Sequence, residues 1–350
     1  MRRLGAPGDD APDASGRESV DITDVIDDLL PLMLRSPGPR ALDAVAAALA
    51  KRGHPVPAER IGGLTCRRPV ASAFDRMFDD PLGRLVLEET RRLVALLPTY
   101  DPGKLDGHNA AFSREFFANY LRQSAIRVLN LIEFLRDAGT TGGRVLEVGA
   151  LFGQFATALR RLGYDVTVVD RYRSQNGAFD GYVGYFRELG IEVIEAERSN
   201  EAAMTASLGQ FDAVISMAVI EHIPHTPREF LKMLVSHVTP GGVLAVDTPN
   251  IARFWNRRQL NAGLSIHQDL KVQFFCDIPY EGHHREYTAA EVAWMLEQSG
   301  CRDVRTALYD YNLLQFSELA TDHLDALLAI TVDPTNADMI LAMGRVPAHD

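Results

Sequence analysis

The chain has 350 residues, a formal net charge of −11, and 46% hydrophobic and 24% charged residues. That length suits one large domain with an appendage or two modest domains, and the composition is that of an ordinary soluble protein. No window approaches the run of roughly 18 apolar residues that a membrane helix needs, and no basic patch offsets the acidic balance, so neither a membrane nor a nucleic-acid partner is expected.

The opening "MRRLGAPGDDAPDASGRES" carries basic residues with no apolar stretch behind them. It reads as a disordered tail over residues 1–20, not a secretory signal, and a cytoplasmic location is expected. "DITDVIDDLLPLMLR" and "PRALDAVAAALAKRG" then have helical apolar spacing and are separated by "SPGP". More helical pattern runs from about Ala71 to Leu97, so residues 21–105 form a helical accessory region, expected to join two subunits into a homodimer or to roof a substrate pocket. Such a region is expected to be removable without loss of cofactor affinity. A helix-turn-helix reading of "ALDAVAAALAKRGHPVPAERIGG" lacks a basic recognition helix. After the break "PTYDPGKLDGHNA", the stretch "FSREFFANYLRQSAIRVLNLIEFLRDAG" predicts one long amphipathic helix ending at Gly139, with Phe116, Tyr120, Ile126, Leu129 and Phe134 facing a sheet. The main domain therefore starts near Asp106 and runs over residues 106–350.

From Arg144 short β-rich apolar runs alternate with helical ones: "RVLEVGA", "QFATALRRLG", "DVTVVD", "FDGYVGYFRELG", "EVIEAE", "FDAVISM", "REFLKMLVSHV", "GVLAVDTP". Parallel strands need crossovers, so this alternation predicts an α/β, doubly wound, mostly parallel sheet. About 37 residues then separate "VDTPN" from the helix in "TAAEVAWMLEQSG", and a gap of that length marks a lid insertion at about 250–287. "DVRTALYD" and "DMILAMGRV" are two further strands. Cys66, Cys276 and Cys301 lie far apart with no C-x-x-C pair, which argues against a disulfide framework or a zinc site.

The first strand and helix enclose Gly149-x-x-x-Gly153, with Leu151 in the middle, and not the G-x-G-x-x-G of a dinucleotide site. Glu147, two residues before the first glycine, suits a ligand with an ammonium and a sulfonium better than a pyrophosphate. Asp170 closes the second strand, where a carboxylate can accept both hydroxyls of an unphosphorylated ribose. As a strand-end residue outside the core, it is expected to serve a ligand with no part in the fold.

"VLEVGALFGQFATAL" with "VTVVD", "FDAVISMAVIEHI", "TPGGVLAVDTPN" and "HHREYTAAEVAWMLEQSG" together resemble the class I S-adenosylmethionine-dependent methyltransferases, in their small-molecule branch. The resemblance covers about two thirds of the chain. It implies a Rossmann-like, seven-stranded sheet whose last strand is antiparallel, with S-adenosyl-L-methionine as cofactor across the strand ends. It also implies that Glu147, Gly149 and Gly153 shape the methionine pocket, that Asp170 with Arg171 holds the ribose, that Glu197 and Arg198 flank the adenine, and that Met217 lies beside the sulfonium. Leu151 stands where the family usually has glycine, and its side chain narrows the turn.

Methyl transfer from a sulfonium asks the protein mainly to position the nucleophile and to remove its proton. "EHIPH" and "EGHHREY" supply the candidates Glu221, His222, His283 and His284, with His222 first as general base and a small-molecule hydroxyl as acceptor. Helix capping and surface ion pairs are the competing roles for the second cluster. No H-E-x-x-H or comparable spacing is present, so no metal site is expected from these residues with His225 or Asp247. Phe254, Trp255, Phe274, Phe275 and Tyr280 suit an aromatic lid over the acceptor. Two other readings are an NAD-dependent oxidoreductase, which Glu147 and the glycine spacing disfavour, and a methyltransferase fold kept as a binding or assembly module.

Overall fold

The structure is a computed structural model that describes residues 20–35, 37–68, 71–104, 113–172, 176–196, 208–267, 269–276, 280, 282–312 and 321–348. Residues 1–19 of the expected tail, and the boundary near Asp106, lie outside the described residues.

Val20–Asp21 (β1) pairs in parallel with Leu64–Thr65 (β2), and around this two-stranded sheet lie helices α1 (Ile26–Arg35), α2 (Pro39–Lys51) and α3 (Ala71–Met77). Helix α4 (Pro81–Leu96) starts where its sequence says it should. Pro81 occupies the first turn, and the Asp80 carboxylate accepts the Gly83 amide at 2.9 Å. Helix α5 (Arg114–Asp137) is capped by Ser113, whose hydroxyl accepts the Phe116 amide at 3.1 Å. Its burial extends well beyond one stripe: Leu121, Ala125, Val128, Leu131 and Leu135 are buried as well as Ile126 and Leu129, because α5 lies between α4 and the sheet. Phe116, expected on the sheet side, is exposed.

The main sheet contains β3 (Arg144–Val148), β4 (Asp165–Asp170), β5 (Glu192–Glu195), β6 (Phe211–Met217), β7 (Val238–Pro249), β8 (Arg302–Tyr309) and β9 (Met339–Arg345), in the order β5-β4-β3-β6-β7-β9-β8. Strands β3 to β7 are mutually parallel, while β9 is inserted antiparallel between β7 and β8. The crossovers and flanking helices are α6 (Gln154–Arg161), α7 (Asp180–Glu188), α8 (Arg228–Ser236), the lid helices α9 (Phe254–Asn261) and α10 (Leu270–Phe275), α11 (Ala289–Gln298) and α12 (Thr321–Val332). The chain runs outward from β3 to β5 and returns to β6, so the order reverses beside β3. Open α/β sheets bind ligands at such a reversal. Helix α12, which the sequence reading passes over, lies on α1 and α2.

The N-terminal helices share one core with the sheet's helices instead of standing apart from them. Ile26, Leu29, Leu30 and Met33 of α1 belong to the same buried cluster as Leu129 of α5, Phe155 of α6 and Leu327 of α12. Polar ties reinforce this. Gln154 donates to Thr90 (3.0 Å), Tyr182 donates to the Leu93 carbonyl (2.8 Å), and buried Glu89 accepts from Arg161 (3.2 Å) and Tyr185 (2.5 Å). Helix α4 thus holds the start of α6 through Gln154.

One charged pair joins α5 to the sheet. The Arg127 guanidinium, 2% exposed, meets the Asp247 carboxylate side-on, with Nε to Oδ2 at 3.0 Å and Nη2 to Oδ1 at 2.9 Å. Burial opposes the arginine's charge, but Asp247 more than compensates and keeps it protonated. Tyr309 donates to Asp247 Oδ2 (2.9 Å), Arg127 Nη1 donates to the Tyr120 hydroxyl (2.9 Å), and the rings of Phe155 and Tyr311 flank the guanidinium at 5.4 and 5.6 Å.

Two outcomes are expected. Arg127→Met strands the buried Asp247 charge and should lower the unfolding free energy by about 3–5 kcal/mol in urea denaturation, with part of the loss recovered by adding Asp247→Asn. A chain beginning at Ser113 should fail to give the cooperative thermal transition of the full chain. A truncated protein with unchanged melting and donor affinity would contradict the shared core.

Candidate functional site

Three strand ends meet at the reversal point of the sheet, and their carboxylates organise it. Glu147 in β3 is 1% exposed, and its Oε2 has no hydrogen-bond partner among the described residues. Burial is the main reason its carboxyl is pushed up to about 8; an amide hydrogen bond from Ala156 in α6 offsets only part, and the negative Asp170 and Asp247 add to the rise.

 Between β3 and α6 the chain turns through Gly149 (φ +83°), Leu151 (φ +47°) and Gly153 (φ +67°). A Cβ at Gly149 would collide with the Val219 side chain and one at Gly153 with the Phe186 ring, so both glycines are required by packing as well as by backbone conformation.

Leu151 occupies a left-handed conformation that costs a residue with a side chain about 1–2 kcal/mol. It is held there at both ends. Its amide donates to Asp170 Oδ2 at 2.7 Å, and its carbonyl accepts the Tyr172 hydroxyl at 2.9 Å. Asp170 Oδ1 accepts the Arg171 amide at 2.6 Å. The expectation that Asp170 has no part in the fold is thus corrected: each of its oxygens already serves the backbone, because a turn with three left-handed residues needs an acceptor for its amides. Burial pushes the Asp170 carboxyl upward, against the pull of these two amides.

The turn after β6 repeats this construction. Ala218 is left-handed (φ +55°), and its amide donates to Asp247 Oδ1 at 2.7 Å. Glu147, Gly149, Leu151, Met217 and Ala218, with Tyr120 above them, line a cavity of about 70 Å³. One water occupies about 30 Å³ of liquid, so this space admits a short polar chain end. Gly153 and Arg171 stand outside its lining, and Glu197 and Arg198, expected beside the adenine, lie outside the described residues. Leu151 leaves the turn open enough to keep the cavity.

A second cavity of about 380 Å³, in the size range of small-molecule sites, lies beneath the lid. His222, Arg253, Trp255, His283, His284 and Glu286 are among its lining residues. Glu221 is buried, which pushes its carboxyl up to about 7 despite the opposing charge of His283, and Thr248 donates to its Oε2 at 3.0 Å. His283 Nδ1 pairs with Glu286 Oε1 at 3.0 Å. Burial alone would lower the imidazole's pKa, but this bond and the Glu221 charge raise it on balance. Glu286 is also buried against its charge, yet His283 and Arg253, the latter at 2.6 Å, hold it down at about 2. The His222 and His283 rings meet edge to face, 4.8 Å between centroids. His284 donates its amide to the Glu221 carbonyl (2.7 Å), while its ring turns to the Tyr280 carbonyl (3.1 Å).

The structure thus gathers Glu221, His222 and His283, while His284 contributes mainly by tying its loop to Glu221. The capping role weighed for "EGHHREY" falls one residue later, on Thr288, which forms a capping box with Glu291. The aromatic lid divides: Trp255 lines the cavity and packs on Phe254, whereas Phe274 and Phe275 are 73% and 78% exposed. Arg127, Ala218, Thr248 and Arg253 escape the sequence reading, which places Tyr120 only on the sheet-facing side of its helix. One signal was available, since "VLAVD" ends an apolar strand on an acid just as "VTVVD" does.

The family described as "Methyltransferase domain" matches residues 117–306. A ubiquinone biosynthesis O-methyltransferase of Caulobacter sp. (strain K31) is 33% identical over 136 residues, 38% of this chain and 52% of that protein. One from Rickettsia canadensis (strain McKiel) is 30% identical over 106 residues, 30% of this chain and 42% of that protein. The chain thus spans about half the length, or less, of the curated relatives it matches. Among solved structures, magnesium protoporphyrin IX methyltransferase from Synechocystis PCC 6803 is 13% identical with a TM-score of 0.43, covering 74% of this chain and 93% of that one. The N-methyltransferase NodS from Bradyrhizobium japonicum WM9 is 16% identical with a TM-score of 0.38, covering 64% and 88%. With the family match extending over more than half of its residues, the chain belongs to the methyltransferase-domain family, the class I S-adenosylmethionine-dependent methyltransferases.

Proposed function

We propose that this chain transfers the methyl group of S-adenosylmethionine to a hydroxyl oxygen of a small molecule that enters the cavity beside His222 and His283. The observation that carries the donor half is the buried Glu147 carboxylate with its unpartnered oxygen beside the glycine turn. A cationic chain end satisfies that oxygen, whereas the pyrophosphate of a nicotinamide dinucleotide would be repelled by it. In this reading Glu147, Gly149 and Met217 hold the methionine end, and Gly153 sets the start of α6 behind them. Asp170 takes the ribose on the lone pairs that its backbone bonds leave, with Arg171 beside it, and Glu197 and Arg198 flank the adenine. Oxygen as the acceptor atom is supported by the names of the relatives, which are O-methyltransferases.

The donor supplies a methyl carbon already activated by its sulfonium. The remaining work falls to the chain's own groups: the lid cavity orients the acceptor and excludes water, and His222 takes the hydroxyl proton. His283, Glu221 and His284 form the polar wall that fixes this imidazole. The oxygen forms the new bond to the methyl carbon as the sulfur–carbon bond breaks.

Glu147 gives a pH-dependent test. Its carboxyl stands at about 8 in the folded, ligand-free chain, above the ordinary 4.5. Between those two values the folded state holds a proton that the unfolded chain releases, so burying Glu147 destabilises the fold increasingly as pH rises through this window and no further above about 8. A cationic ligand reverses the preference by ionising the carboxyl. S-adenosylmethionine binding near pH 6.5 should therefore release up to about one proton from Glu147, declining above pH 8, as measured by calorimetry in buffers of different ionisation enthalpy. An equal proton count in Glu147→Gln would reject the assignment.

For the acceptor half, His222→Ala should reduce kcat by about 10²–10⁴ while donor affinity changes little. The defect should shrink for acceptors with more acidic hydroxyls. A normal kcat across a panel of hydroxyl acceptors would remove His222 from the proposal.

A further inference from the structure

Glu221 and His222 come from the short turn after β6, and His283 comes from the far end of the lid. Each offers one ligand atom, and the three atoms lie within 4.8 Å of one another. Their surroundings already fix two of them. His283 Nδ1 is taken up by Glu286 at 3.0 Å, which leaves Nε2 as the nitrogen available to a ligand. Glu286 is itself held by Arg253, giving the carboxylate–histidine arrangement that orients metal-bound imidazoles. Thr248 holds the Glu221 carboxylate through Oε2.

We propose that Glu221, His222 and His283 form a site for a borderline divalent cation, Zn²⁺ in the first instance, with its remaining coordination position open to the lid cavity. The inference rests on reading that cavity as the acceptor site. Two imidazoles and one carboxylate match the ligand set of open zinc sites, while the nitrogen donors disfavour Mg²⁺ and Ca²⁺. Donors about 2.1 Å from a tetrahedral ion stand about 3.4 Å apart, so the separations must close by up to about 1.4 Å. The exposed His283 side chain has room to make that adjustment. An ion there would lower the pKa of an acceptor hydroxyl: the O–H bond breaks, the proton passes to solvent, and the electron pair stays on the oxygen for attack on the methyl carbon. In the ion-loaded enzyme His222 is then a ligand, and the proton-accepting role assigned to it above belongs to the ion-free form.

The test needs neither donor nor acceptor. Full-length protein stripped with chelator and dialysed is titrated with ZnCl₂ by calorimetry, and bound metal is counted by elemental analysis. One Zn²⁺ per chain is expected, with Glu286→Gln weakening binding about 10–100-fold and Glu221→Gln or His283→Ala weakening it at least as much. Cys276→Ser, which removes the exposed thiol, should bind as the unaltered chain does, and circular dichroism checks that every variant is folded. Absence of binding, or binding that survives both Glu221→Gln and His283→Ala, overturns the site. Methylation assays then separate the two readings. Full activity of the stripped enzyme overturns the ion's part in the reaction and leaves methyl transfer standing. Metal binding without methylation of any hydroxyl acceptor overturns the acceptor assignment and leaves the ion site standing.

Discussion

The buried pair between Arg127 and Asp247 is the interaction on which the rest of this structure depends. Two opposite charges removed from water are stable only when each is fully matched, and here the guanidinium and carboxylate meet through two parallel hydrogen bonds. The pair fixes the long helix α5 against the end of β7. From there Asp247 reaches the Ala218 amide and the Tyr309 hydroxyl, while Arg127 reaches Tyr120 above the cavity. Helix position, strand end and cavity wall are therefore set by one electrostatic match.

Around that anchor the fold stores strain at the reversal point of the sheet. Leu151 and Ala218 both adopt left-handed backbone, and each is held by a carboxylate near the end of a neighbouring strand, Asp170 for one and Asp247 for the other. Strain of this kind persists only when the surroundings over-determine it. Its effect is to turn the chain sharply at two adjacent strand ends and open a small cavity between them, with the Glu147 carboxylate buried at its wall. Burial in so dry a place keeps this carboxyl protonated in the free protein, and a cationic ligand would let it ionise.

The lid continues the same logic on a neighbouring part of the sheet edge. Thr248 follows Asp247 along β7, and its hydroxyl holds Glu221. The Glu221 carbonyl in turn accepts the His284 amide, and Arg253 at the start of α9 meets Glu286 beside His283. Consecutive residues of one strand thus support the small cavity beside Glu147 and the histidine cluster. The N-terminal helices contribute from behind, since Thr90 of α4 receives the Gln154 side chain at the start of α6.

Much of this molecule is legible in its sequence. Short continuous apolar β-rich runs and period-3.6 apolar patterns mark the strands and helices from Arg144 onward, because burial of a parallel strand on both faces, or of a helix on one, imposes those patterns locally. The glycines at 149 and 153, the acids at 147 and 170, and the histidines at 222 and 283 stand out for the same local reason: a turn, a strand end or a polar cluster is written in adjacent residues. The partners of those residues are not. Arg127 looks like one more charge on an amphipathic helix until α5 is laid on β7, 120 positions from Asp247. Asp170 reads as a ligand-binding strand end, and only the folded turn reveals its bonds to the backbone amides of Leu151 and Arg171. The accessory helices look separable because amphipathicity reports that a face is buried and not what buries it. His222 and His283 become neighbours only when the lid closes back onto the turn after β6, so sequence determined which groups are present, and tertiary packing decided which of them meet.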